Sequence, residues 1–228
     1  MSWLLKSSIG RKFIMALSGC CLVLFLLFHM CMNVVSIISI EAYEAICGFL
    51  GTNWYAVLAT GGLALLFIVH ILYALSLTLK NKKARGNDSY AMSSSLSSVT
   101  WTSKNMFVLG VVVLVFLLLH LYDFWFKMMF AELFNLHDIV VLPEEVGGHM
   151  AMLFGSPVKV ALYFIGIVAL WLHLTHGVWS MFQSTGLNGR TWYPRLKCIG
   201  NIVATIICLG FLIVPIFFLA KHFLCGAC

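Results

Sequence analysis

The sequence predicts an all-α integral membrane protein with five spanning helices, on two observations. Hydrophobic residues make up 62% of the 228 and charged residues 10%, and the mean hydropathy is +1.01. A soluble domain is nearer a quarter charged, so lipid has to solvate this chain. The apolar residues also gather into five runs, and about 20 such residues cross the hydrocarbon as a helix. The runs are 13–40, 53–79, 105–130, 158–182 and 198–220, which leaves one transmembrane domain over 1–228 and no room for a separate soluble one.

The first run is longer than a signal-peptide core and lacks a small-residue cleavage site, so it reads as a retained helix. The third contains Asp123 and Lys127, which places its end at the interface near Tyr122 or beyond it in water. The fifth contains Pro215 and is expected to kink there, as membrane helices tolerate. The aromatic and Met-rich connection from Asp123 to Pro157 is expected to lie on the membrane surface.

Charge alternates from one connection to the next. Lys6, Arg11 and Lys12 precede the first run. Lys80, Lys82, Lys83, Arg85 and Lys104 fill the second connection, and Arg190, Arg195 and Lys197 the fourth. The intervening side takes Glu41, Glu44, Asp123, Glu132, Asp138, Glu144 and Glu145 with only Lys127, Lys159 and Lys221. By the positive-inside rule the N-terminus is cytoplasmic and the C-terminus outside. The net charge of +6 is thereby used for topology, and no aromatic–basic run points to nucleic acid. Of eight cysteines, Cys20, Cys21, Cys31, Cys47, Cys198 and Cys208 sit in runs or at their ends as small apolar fillers. Cys225 and Cys228 form a C-x-x-C that admits a disulfide but lacks the further ligands of a zinc site.

Ionisable side chains inside a membrane are costly and mark function. Here four runs each carry a deep histidine: His29, His70, His120 and His173. The first and third runs head outward with His29 and His120 past their midpoints. The second and fourth head inward, with His70 and His173 each fifteen residues beyond Tyr55 and Val158. The four therefore form an outer pair and an inner pair. Gly19 precedes His29 by ten positions and Gly110 precedes His120 by ten, in the similar strings "LVLFLLFHM" and "VLVFLLLHLY". His70 follows Gly61 and Gly62, and His173 follows Gly166; small residues are expected where membrane helices or cofactors pack closely. An antiparallel four-helix bundle with the fifth helix peripheral would hold two cofactors at two depths. Haem with two axial imidazoles needs this arrangement, because electron-transfer iron takes a strong ligand from each face. Zinc fits less well, with the pairs apart and no acid or thiolate beside them. A proton relay would want carboxylates in the core, where none is expected. In "ALWLHLTHGVWS" the depth of His173 matches His70, and His176 lies about one turn further in. His173 is the expected ligand, with His176 beneath it near a propionate or quinone; the exchange of their roles stays open.

Histidines in this order resemble the single-chain, two-haem cytochrome b subunit of succinate dehydrogenase and fumarate reductase. The resemblance covers nearly the whole chain and rests on "SSIGRKFIMALSG" leading to His29, "GGLALLFIVHILYAL", "LLLHLYDFWFKMMF" and "HLTHGVWSMFQSTGLNGRTWYP". It implies two haem b groups, the outer (distal) on His29 and His120 and the inner (proximal) on His70 and His173. It implies a flavoprotein subunit and an iron–sulfur subunit docked at the cytoplasmic face of a bacterial cytoplasmic (inner) membrane. Electrons would pass to or from a quinone, usually menaquinone, and a dimer of the whole complex is compatible with it. No Gly-rich phosphate loop or cluster-type cysteine run is present, so dicarboxylate chemistry belongs to the other subunits. In relatives the quinone lies near the distal haem with a carboxylate to handle protons. Glu44 is the first positional candidate here and Asp123 the second. Relatives also carry an acid two positions before the fourth-helix ligand, where this chain has Trp171.

Two other readings make different expectations. The cytochrome b subunit of a hydrogenase or formate dehydrogenase would share haem and quinone but dock another partner. A small transporter or non-haem scaffold would purify colourless.

Overall fold

The computed structural model describes residues 7–51, 53–85, 101–187 and 189–225. Lys6, Cys228, the Cys225 side chain and most of the basic second connection (86–100) lie outside that description. Among the described residues every regular element is helical. The long ones are α1 (Ser8–Ile38), α3 (Trp54–Arg85), α4 (Met106–His120), α6 (Pro157–Ser180) and α7 (Trp192–Cys225), with the shorter α2 (Ile40–Gly51) and α5 (Val146–Phe154) between them. Five segments are long and apolar enough to cross a membrane, which makes this a multi-pass membrane protein by length and composition.

Local chemistry sets the breaks. Ser7 caps α1 by accepting from the Gly10 amide at 2.9 Å. Ser39 stands extended between α1 and α2; its backbone amide closes on Val35 O and its hydroxyl oxygen accepts from the Ala42 amide at 3.1 Å. Pro157 opens α6, where its missing N–H costs no hydrogen bond. A 3₁₀ segment, Met181–Thr185, follows α6 and ends at Gly186, whose φ of 84° is the left-handed conformation glycine adopts without strain.

The helices outrun the apolar runs that announce them. α1 starts at Ser8 rather than 13, α3 continues through Arg85, and α7 begins at Trp192 rather than 198. Hydropathy marks the lipid-solvated length, whereas backbone hydrogen bonding continues into flanks that carry Arg11, Lys83 and Lys197. Past His120 the third run changes its winding: it continues as a π-helix, Leu121–Phe130, and one more turn, Ala131–Leu133. With i→i+5 hydrogen bonding, residues four apart lie nearly above one another. Tyr122, Phe126, Phe130 and Phe134 accordingly stack in sequence, with ring centres 5.7, 5.1 and 4.5 Å apart. The wide turn leaves Asp123 only 1% exposed, so this segment does contain a buried carboxylate.

α1 packs against α3, α4 against α6, and α1 also meets α6; α3 and α4 touch over a short stretch. α3 is the loosest element, with no fully buried residue in its spanning window. The fifth spanning helix is not peripheral. α7 packs along α6 and α1, and Ala204, Ile207 and Cys208 share one buried cluster with Ile167, Leu170, Leu174 and Val178. Val214 and Phe218 join a second cluster with Tyr43, Val146, Met150, Phe154 and Tyr163. α7 runs unbroken across Pro215. The small residues explain its depth: a Cβ on Gly200 would lie 3.3 Å from the Trp179 amide nitrogen, and one on Gly210 would overlap Met30.

Candidate histidine pairs and the polar cluster beside them

The structure brings His29 of α1 and His120 at the end of α4 into edge-to-face contact, with ring centres 5.8 Å apart and planes at 75°. Both are half-buried. Aromatic rings frame them: Phe25 stacks on His29, Phe211 of α7 approaches it at 5.6 Å, and Phe116, Phe124 and Tyr163 surround His120. Asn33 reaches back from the next turn. Its amide donates to the His29 carbonyl at 2.8 Å and lies 3.4 Å from both ring nitrogens, while Tyr43 of α2 donates to its oxygen.

His70 and His173 form the second level, with His173 in electrostatic reach of both His70 and His176. Ser18 of α1 meets His70, its Oγ 3.1 Å from Nδ1. The Ser18 hydroxyl donates its single proton to Met15 O at 3.0 Å. With that proton on Met15 O the hydroxyl oxygen accepts from the ring, which is the arrangement that places the hydrogen of His70 on Nδ1 and leaves Nε2 its lone pair. His173 is held differently: its Nδ1 is buried with no partner among the described residues. The Nδ1 of His176 is likewise buried and unpartnered, and its ring packs edge-on to Trp179 at 5.0 Å.

The glycines work across helices rather than along them. A Cβ on Gly19 would lie 3.5 Å from Cε1 of His70, and one on Gly110 would lie 3.6 Å from Cε1 of His173. The glycine ten residues before each histidine of one pair thus lies against a histidine of the other pair. Ten residues of α-helix rise about 15 Å, which is the separation of the two levels. Gly110 lies against His173 and not against His176. Gly166 has another role, since a Cβ there would overlap the Phe116 ring; Gly61 and Gly62 meet nothing within 4 Å.

Beyond His120 lies a polar cluster that the sequence reading missed. Lys159 Nζ sits 2.8 and 3.1 Å from the two carboxylate oxygens of Asp123, and Tyr163 OH donates to Oδ2 at 3.2 Å. His149 of α5 donates from Nε2 to the Asp123 carbonyl at 2.8 Å. The only signal for this cluster was an acid and a lysine 36 residues apart on two neighbouring spans. Glu44, the other candidate acid, is half-buried and accepts from the Gly147 amide at 3.3 Å, tying α2 to α5. Trp171 is exposed on α6 and donates to Thr205 Oγ1 of α7 at 3.0 Å.

Two imidazoles on opposite faces of one metal, each at the about 2.0–2.1 Å of a metal–nitrogen bond, hold their ring centres on the order of 6 Å apart. The His29–His120 centre-to-centre distance of 5.8 Å is close to that value, within an edge-to-face contact. Among the described residues no group of three or more His, Cys, Asp or Glu converges. Two imidazoles suit a metal whose remaining positions are supplied by a macrocycle. Comparison of the chain with family models, with curated proteins and with solved structures gives no match, so the two levels rest on their own geometry.

Proposed function

We propose that this chain is the di-haem cytochrome b anchor of a succinate:quinone oxidoreductase, carrying electrons between an iron–sulfur subunit and membrane quinone. The observation that carries the reading is the meeting of His29 and His120 with ring centres 5.8 Å apart; at the second level His173 lies in electrostatic reach of His70, and the two rest against Gly110 and Gly19. When bound, haem b supplies a one-electron carrier at each level. The residues of this chain do the rest. His29 and His120 would hold the outer haem and His70 and His173 the inner one. Ser18 keeps the lone pair of His70 on Nε2. The phenylalanines around His29 and His120 exclude water from that level. The basic connections, held on the cytoplasmic side by the positive-inside rule, give the flavoprotein and iron–sulfur subunits their docking face in a bacterial cytoplasmic membrane.

The experiment is haem content per chain with a reduced-minus-oxidised spectrum on the complex purified from membranes. Two b-type haems with a co-purifying flavoprotein is the expected result. Two haems with a nickel or molybdenum subunit would transfer the chain to a hydrogenase or formate dehydrogenase, and a colourless folded protein would remove the reading.

Ser18 offers a finer test. Residues that orient a metal-bound histidine are worth about 10–100-fold in metal affinity. Ser18→Ala should retain the outer haem and lose the inner one to an excess of apo-globin about 10–100-fold faster, while Ser18→Thr keeps a hydroxyl and behaves as wild type. Equal loss rates in the two variants would dissociate Ser18 from His70.

A further inference from the structure

The 3₁₀ turn Pro143–Glu145 and the exposed edge of α5 enclose an open cleft of about 470 Å³, lined by Val141, Glu144, Glu145, Gly148, His149 and Met152. It is shallow, with an apolar wall and few polar groups. His149 is the buried member of the lining, 5% exposed. Because a backbone carbonyl only accepts, the bond to Asp123 O fixes the hydrogen of His149 on Nε2 and makes Nδ1 its basic nitrogen. The cleft also adjoins the outer histidine pair. The His149 ring packs edge-on to Phe124 at 5.6 Å, and Phe124 packs on His120 at 5.2 Å.

We propose that this cleft holds the headgroup of the quinone, and that His149, rather than Asp123 or Glu44, exchanges the proton with it. This rests on the quinone-reactive reading above and names the residue that such a reading leaves unassigned. Asp123 already receives two contacts from Lys159 and one from Tyr163, so protonating it would break a buried ion pair. Glu44 is engaged by Gly147 and does not line the cleft. His149 has its basic nitrogen uncommitted to Asp123. The groups around it are Asp123 and Lys127 from the π-helix, Lys159 from α6, and Glu144 and Glu145 at the mouth of the cleft. Burial, partly opposed by the bond to the Asp123 carbonyl, holds its pKa below the ordinary histidine value. Neutral Nδ1 then accepts a hydrogen bond from a hydroquinone hydroxyl. On transfer the O–H bond breaks, Nδ1–H forms, and the electron pair stays on the ligand oxygen beside the imidazolium. Exposed Glu144 and Glu145 pass the proton to water. In the opposite direction the imidazolium donates to a quinone carbonyl.

The test is equilibrium binding of 2,3-dimethyl-1,4-naphthoquinone and its hydroquinone to the purified complex, with haem content measured on the same samples. The two redox forms should respond oppositely to pH: hydroquinone affinity falls and quinone affinity rises as His149 protonates, by about 10-fold across the transition. His149→Gln keeps an N–H for the Asp123 carbonyl but has no titrating nitrogen, so both dependences should flatten with haem content unchanged. His149→Ala should weaken hydroquinone binding about 10-fold or more. Wild-type pH dependence in the Gln variant, or a haem-replete wild type that binds neither form, would overturn the assignment. A wild type without haem would instead overturn the reading on which it rests.

Discussion

A His70→Ala chain should purify with one haem in place of two and keep the spectrum of the outer haem. The level that loses its ligand contains His173 and the Gly19 and Gly110 notches; the other contains His29, His120 and their aromatic frame. About 15 Å of helix separates them, so a side chain removed at one leaves the packing of the other in place. His173→Ala should give the same single-haem product. His120→Ala should give the complementary one, retaining the inner spectrum. His176→Ala should keep two haems, because Gly110 opens onto His173 and not onto His176. Haem quantified against protein, with low-temperature spectra to separate the two species, decides each case. Two unchanged haems in His70→Ala would refute the ligand set, and loss of a full haem from His176→Ala would exchange the roles of the neighbouring histidines.

The second large effect concerns the ion pair. Lys159→Met leaves the Asp123 carboxylate, 1% exposed, without its counter-charge. Breaking a buried pair from one side costs about 3–5 kcal/mol. The Lys159 side chain is itself 31% exposed, and solvent screening brings the expected loss toward about 2–3 kcal/mol. Asp123→Asn should cost less, because a lysine with that exposure turns its ammonium to water. The double variant should recover much of the loss, since no isolated charge is left behind. Thermal unfolding in detergent measures the order, with a drop of about 5–10 °C for Lys159→Met. A melting point lower for Asp123→Asn than for Lys159→Met would mean that the carboxylate is needed for its hydrogen bonds to Tyr163 and not for its charge.

The features that follow from solvent preference were legible in the sequence. Five runs gave five spans, and the depths of His29, His70, His120 and His173 along those runs gave the pairing that the structure brings together at His29 and His120. What escaped depends on partners. Hydropathy assigns Lys159 and Asp123 to an aqueous edge because it scores each alone; together they neutralise one another and stay with the helices. It likewise cannot rank one apolar helix against another by burial, so α7 read as peripheral although Ala204 and Ile207 are completely enclosed. The π-helix was hidden because rings at every fourth position from Tyr122 to Phe134 look in sequence like an ordinary helical stripe. Ser18 escaped for a related reason, since its partner lies 52 residues away on another helix.

The crossed arrangement of glycines and histidines also acts as a ruler. α1 carries Gly19 at one height and His29 at the other, and α4 carries Gly110 and His120 in the same order. A slip of one helix by a single turn, about 5.4 Å, would carry a histidine away from its mate and bring a different residue against the histidine that the glycine now touches, both at once. Neither error can be relieved without restoring the other. The vertical distance between the two levels is therefore written into the count of residues within each helix, and the loops that join the helices are free to change length without altering it.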